Sequence, residues 1–178
     1  DVIRWYDLDA TADAKARNFH ICDACVSATV DDLSLHEKSG YSAWNVRGRA
    51  IIHSGNIQLS NLHLEDGRSM LNVPKFSMIY DNYLAFRDFT RKVSLSGQIR
   101  NTQLDTWTLS YLTPVQEMPL DLSINEASFN GTVNNMKLHY LDFSEAGGIS
   151  GKLSGKVSNL TDIRNAAVDA EIDRLEFT

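Results

Sequence analysis

The sequence predicts an all-β fold, a curved and mostly antiparallel sheet with little helix, on three observations. Apolar and polar residues alternate with period 2 in almost every segment. Clusters of Gly, Asn and Asp punctuate the chain every roughly ten to twenty residues, the rhythm of strands joined by turns. Glycines recur on the apolar side of the alternation, where a missing side chain lets an opposing backbone approach or lets the sheet curl.

Ala10–Arg17, with four alanines behind Asp9 as a cap, predicts a helix of about two turns, against the interruptions at Thr11 and Asp13. Val26-Ser27-Ala28-Thr29-Val30 is rich in β-branched residues and reads as a strand. Ile57 and Leu59 share one face, and Leu62 and Leu64 continue it one residue out of phase, the mark of a β-bulge. Val93, Leu95, Gly97 and Ile99 alternate with Ser94, Ser96 and Gln98. Asp105–Leu112 divides evenly between helix and strand: Trp107, Tyr111 and Leu112 have helical spacing before Pro114, but Thr106, Thr108 and Tyr111 favour strand. Leu120, Leu122 and Ile124 then alternate, followed by Phe129, Gly131 and Val133, and by Met136, Leu138 and Tyr140. Ile149, Gly151, Leu153, Gly155 and Val157 alternate with Ser150, Lys152, Ser154 and Lys156, and Val168, Ala170 and Ile172 close the series. Each strand is apolar on one side only, the pattern of half-buried antiparallel strands. Gly97, Gly131 and Gly151 are spaced by 34 and then 20 residues, which argues against a solenoid of fixed short period.

At 178 residues, 43% apolar and with a net charge of −6, the chain is expected to form a single β-rich domain over residues 1–178. No apolar run approaches the roughly 20 residues of a membrane-spanning helix. Asp1-Val2-Ile3-Arg4-Trp5 has neither the basic nor the apolar region of a signal peptide, and both ends read as cuts from a longer chain. The 17 basic side chains are scattered, so the clustered basic footprint of a nucleic-acid binder is missing.

Cys22-Asp23-Ala24-Cys25 forms one C-x-x-C, but β-branched residues follow it where a redox motif would open a helix. With the five histidines far apart in sequence, a second pair of zinc ligands is also missing. Cys22 and Cys25 read as thiols flanking a tight turn, free or oxidised to each other in a structural disulfide. No phosphate loop, nucleophile elbow or H-E-x-x-H is present, and the carboxylates fall mostly at turns. No catalytic, cofactor-binding or metal site is expected. The aromatics at 80–89 read as sheet packing, with sugar stacking as the competing use.

Three segments carry a family resemblance. Glu37-Lys38-Ser39-Gly40-Tyr41 follows Leu33-Ser34-Leu35; Phe129-Asn130-Gly131-Thr132-Val133-Asn134-Asn135-Met136 forms a strand-Gly-Thr-Val-turn unit; and Ile149-Ser150-Gly151 runs on through Gly155-Lys156-Val157 to Asp162-Ile163. This register resembles the translocation-and-assembly-module (TamB-like) proteins of the wider AsmA-like group of Gram-negative envelopes, over most of residues 25–178. The Cys22/Cys25 pair and the aromatic Tyr80–Phe89 stretch depart from it. The resemblance implies a periplasmic protein, tethered to the inner membrane by a helix outside this sequence. Its sheet would roll into an open, taco-like groove, continued by neighbouring β segments of the parent chain. The implied partners are phospholipid acyl chains and an outer-membrane β-barrel assembly factor.

An alternating sheet curled on itself offers an apolar concave face and a polar convex one, and an acyl chain can cover the former at about 0.8 kcal/mol per buried methylene. Hydrophobicity assigns the groove lining to Leu95, Ile99, Leu120, Leu122, Ile124, Phe129, Val133, Ile149, Leu153 and Val157. The expected function is non-enzymatic lipid handling. The competing expectations are a secreted β-sandwich module for carbohydrate or protein, using the Tyr80–Phe89 aromatics, and a β-helix enzyme with turn carboxylates.

Overall fold

The computed structural model describes residues 9–112, 121–159 and 163–177. Ten strands run in chain order: β1 (Ala10–Cys22), β2 (Cys25–Glu37), β3 (Ser42–His53), β4 (Asn56–Glu65), β5 (Met70–Ile79), β6 (Ser94–Asp105), β7 (Asp121–Thr132), β8 (Asn135–Glu145), β9 (Ile149–Ser158) and β10 (Ala167–Phe177). Each pairs antiparallel with its sequence neighbours, making one ten-stranded meander with β1 and β10 at its edges. The fold is all-β, and the sheet is not closed into a barrel.

Ala10–Arg17 is strand, not helix. Ala12, Ala14 and Ala16 stand opposite Leu35, Leu33 and Val30, so the alanines extend an apolar row that already exists on β2. Cross-strand pairing outweighs alanine's helix propensity, worth only a few tenths of a kcal/mol per residue. Asp9 caps no helix; its carbonyl accepts from the Lys38 N–H at 2.9 Å, and its carboxylate lies 3.4 Å from the Lys38 ammonium.

The phase change between Leu59 and Leu62 is centred on Asn61, whose φ is +53°. It belongs to a line of irregular positions crossing the sheet. Asn61 stands opposite Pro74, since Ser60 pairs with Lys75 and Leu62 with Val73. Asn101, at φ +45°, stands in the same way opposite Asn125. Asn tolerates the left-handed region better than other side chains, which suits it to these positions. Pro74 donates no N–H, and the β5–β6 ladder is interrupted beside it, between Met70↔Gln103 and Lys75↔Gln98. There the Thr102 hydroxyl accepts from the Asn72 N–H at 3.0 Å, satisfying a donor the ladder leaves out. The one-residue shift returns apolar side chains to the same face on either side of the line. The result is two apolar tiers.

Each tier has a helical cover. Between β5 and β6, a 3-10 turn (Tyr83–Asp88) and α1 (Phe89–Lys92) fold over Tyr80, Val93 and Leu95. The Asn82 side chain caps that turn, accepting from Leu84 N–H at 2.9 Å. Between β6 and β7, α2 (Thr106–Leu112) sets Trp107 and Tyr111 against Tyr41, Ala43 and Val46. The segment that divided evenly between helix and strand is thus helical, and Asp105 opens it by accepting from Trp107 N–H at 2.8 Å. A buried network ties α2 down. Asp66 accepts from the Thr108 hydroxyl at 2.6 Å and from Ser69 N–H at 2.7 Å. Ser69 and Thr108 share a further bond of 2.6 Å between hydroxyls.

Candidate functional site

The residues expected to line a groove share one face but not one environment. Leu95 and Ile124 are buried, and Phe129 and Val133 pack against the cluster under the Tyr83–Lys92 cover. Ile99, Leu122, Leu153 and Val157 are half-buried, Ile149 is 38% exposed, and Leu120 lies outside the described residues. The registers join them: Leu95 pairs with Gly131 and Gly97 with Phe129, Thr102 pairs with Ile124, and Leu104 with Leu122. On the next strands Leu153 stands opposite Leu141 and Ile172, and Val157 opposite Met136 and Val168.

The apolar face therefore has a covered and an uncovered part. Both clusters draw on β2–β8, and neither includes a residue of β9 or β10. On β10, Val168, Ile172, Leu175 and Phe177 extend the face to the sheet edge at 70%, 57%, 43% and 71% exposure. Sequence reasoning missed the buried Tyr41, Ala43, Val73 and Ala127. Alternation places Val93 on the apolar face but gives no sign that a cover will bury it completely.

The glycines act in two ways. At Gly97 an added Cβ would meet the Phe129 ring at 2.8 Å; at Gly151 it would meet both the Arg174 carbonyl at 3.0 Å and the Phe143 ring at 3.1 Å. Gly131, at φ +131°, and Gly155 admit no Cβ because the backbone carbonyls of Asn135 and Asp169 stand against them.

The aromatic run at 80–89 packs inward. Tyr80 is 4% exposed and meets Phe86 edge-to-face at 4.8 Å between centroids, and Phe86 meets Phe89 at 6.0 Å. Tyr83, at 68%, is the aromatic of the run that faces water.

A concavity of about 570 Å³ opens on the other face. Its floor is the backbone of the Leu59–Phe76–Gly97–Phe129 row, and its walls are the flanking polar rows, among them Gln58, Ser60, Lys75, Ser77, Gln98 and Asn130. Ser77 and Ser96 share a hydroxyl bond of 2.9 Å, and His139 meets Asn130 at 2.6 Å. This concavity lies on the side that alternation gives to solvent, apart from the apolar face. Its walls are made by short hydroxyl and longer amide side chains.

The polar face carries two carboxylate networks. His63 bridges Asn72 at 2.6 Å and Glu65 at 2.7 Å; the His63 bond, with a further one from Asn45, holds the Glu65 carboxyl below its usual range. Asp142 is partly desolvated, which raises its pKa. Bonds from Asn125 at 3.2 Å and Lys152 at 3.1 Å outweigh that effect and lower it. At the covered end, burial first and the Asp66 charge second push the Tyr41 phenol up. Glu37 sits below its range through bonds from Ser39.

Cys22 and Cys25 stand opposite each other at the β1–β2 turn, 5.0 Å apart at Cα, with their sulfurs joined. Among the described residues no cluster of three or more His, Cys, Asp or Glu side chains could hold a metal ion. No helix among them is long and apolar enough to cross a membrane.

The architecture defines a class, an open antiparallel β-meander with one apolar face partly covered by short helices. No family model, curated protein or solved structure matches the chain.

Proposed function

We propose that the chain is a non-enzymatic apolar-surface module, whose uncovered face across β9 and β10 holds lipid acyl chains. One observation carries the reading: Leu153 and Val157, with Val168, Ile172, Leu175 and Phe177 beyond them, form a continuous apolar row over which no helix lies among the described residues. Such a surface in water favours an apolar occupant. Acyl chains suit it because methylene contact is non-directional and needs no fixed polar partner. The motif resemblance supports a place in the Gram-negative periplasm, in an inner-membrane-tethered parent that meets phospholipid and an outer-membrane β-barrel assembly factor. A carbohydrate platform on the Tyr80–Phe89 aromatics is disfavoured, because three of those rings are spent on packing.

The test is photocrosslinking from Leu153 and from its neighbour Ser154, on opposite faces, in the presence of phospholipid vesicles. Labelling of lipid from 153 and not from 154 supports the reading. Leu153→Asp should then lose lipid contact while its circular dichroism spectrum stays that of the parent. Equal labelling from both positions, or contact surviving the aspartate, overturns it.

A further inference from the structure

The polar face of the sheet is not uniform in charge. One row of it places Arg100, Glu126, Asp142 and Lys152 side by side on β6–β9. Its charges satisfy one another, Arg100 holding Glu126 at 2.8 Å and Lys152 holding Asp142 at 3.1 Å. The two rows that wall the trough of about 570 Å³ differ. One runs from Arg49 through Ser60, Lys75, Gln98 and Ser128 to Tyr140. The other runs from Ile51 through Gln58, Ser77, Ser96 and Asn130 to Lys137. From β3 to β8 these rows contain no Asp or Glu, in a chain whose net charge is −6. Arg49, Lys75 and Lys137 have no ion-pair partner among the described residues, and the side chains of Gln58, Ser60, Gln98 and Ser128 have no hydrogen bond among them. Lys137 stands directly opposite Lys156, an arrangement that weakens a ladder, and Lys156 faces Asp169 of β10 on its other side.

We propose that this trough binds an acidic polysaccharide, a glycan chain with carboxylates spaced by neutral sugar units, laid across β3–β8. The shape selects a chain. Strands lie about 4.8 Å apart, so six of them give a slot roughly 24 Å long, whereas the lining takes only about 7 Å along each of β4–β7. The spacing of charge selects the kind of chain. Arg49 and Lys75 are two strands apart, about 10 Å, and Lys75 and Lys137 are about 15 Å apart, with amides and hydroxyls between them. A single anion needs cations that converge on one point. A nucleic acid presents a phosphate about every 3.4 Å along a duplex strand, or bases that stack on aromatic rings. Here the cations are far apart, and the aromatic residues of the lining, Phe76 and Phe129, pack into the cluster on the other face. Free amides and hydroxyls donate and accept at once, which suits sugar hydroxyls, and separated cations suit carboxylates set apart by neutral rings. The trough lies in the middle of the sheet and opposite the acyl-chain row, so glycan and lipid occupy different faces.

The test is calorimetric titration of the whole chain with a hyaluronan oligosaccharide, which alternates glucuronate with neutral N-acetylglucosamine. The probe carries no acyl group, so its failure to bind leaves the lipid crosslinking from Leu153 untouched. Binding should weaken as salt rises. Lys75→Gln should weaken it about tenfold or more and flatten the salt dependence. Gln98→Ala should weaken it about threefold and leave the salt dependence as it was. Both side chains are exposed, and both variants should keep the circular dichroism of the parent. Lys92→Gln, on the cover of the opposite face, should bind as the parent does. A chitin oligosaccharide of equal length, which has no carboxylates, should bind at least about tenfold more weakly. No binding of hyaluronan, equal binding of chitin, or unchanged binding by Lys75→Gln would each overturn the assignment. Tighter binding of a single-stranded oligonucleotide or of inorganic phosphate through Lys75 would overturn it too, giving the cations to phosphate.

Discussion

The apolar face on β2–β8 and its continuation on β9 and β10 follow the same alternation, yet Val93 is fully buried and Phe177 is 71% exposed. The difference lies in the connections. The chain leaves the sheet between β5 and β6 and again between β6 and β7, and each excursion brings back a short helix with aromatic side chains. Val133-Asn134 and Ala146-Gly147-Gly148, which join β7 to β8 and β8 to β9, are too short to supply a cover. Alternation creates an apolar face, and a nearby insertion decides whether that face becomes core or stays available.

The largest effect is expected at the covered end. Val93→Asp places a carboxylate where no water or partner reaches it, and should destabilise the fold by about 4 kcal/mol or more in urea titration. Val168→Asp, on the same face but at the edge, should stay within about 0.5 kcal/mol of the parent. Comparable losses at the two positions would erase the distinction between the regions. Next comes the network under α2. Thr108→Val removes the 2.6 Å bond to buried Asp66 and should cost about 1–3 kcal/mol, loosening α2 before the β8–β10 strands. Hydrogen exchange that rises uniformly over the sheet would contradict that order.

Cys22→Ser with Cys25→Ser opens a loop of two intervening residues at the exposed β1–β2 turn, and should cost about 2 kcal/mol or less by thermal melting. Lipid contact from Leu153 should survive it. The smallest effect is acid sensitivity. Glu37 and Glu65 at the covered end and Asp142 at the uncovered end all have lowered folded values. Their contribution is present above the ordinary carboxylate range and is lost as pH falls through the lower folded values. Melting temperature should therefore decline on acidification below the usual values of 4.5 for Glu and 3.8 for Asp. Asp142→Asn should remove the Asp142 share alone; an unchanged acid profile in that variant would mean the Lys152 pairing adds nothing.

Much of the architecture was readable from local pattern, because a strand's two-residue period shows in its own residues. The shift between Leu59 and Leu62 correctly located the irregular position at Asn61, and the C-x-x-C correctly located a tight turn. Ala10–Arg17 misled because alanine alternating with polar residues satisfies both a helix former's composition and a strand's period. Only the apolar row waiting on β2 separates the two. The trough on the polar face had no signal at all, since Gln58, Lys75 and Asn130 come from three different strands.

By itself the sequence determined the class of fold and the alternation that makes one side of most strands apolar, both of which depend on residues close together in the chain. Tertiary structure alone decided which part of that face is sealed. Burial at Val93 depends on Tyr83–Lys92 folding back over β6, and burial at Tyr41 on Trp107 and Tyr111 arriving from more than sixty positions away. A side chain's period is a property of its neighbours in sequence, whereas its exposure is a property of whatever the folded chain lays on top of it.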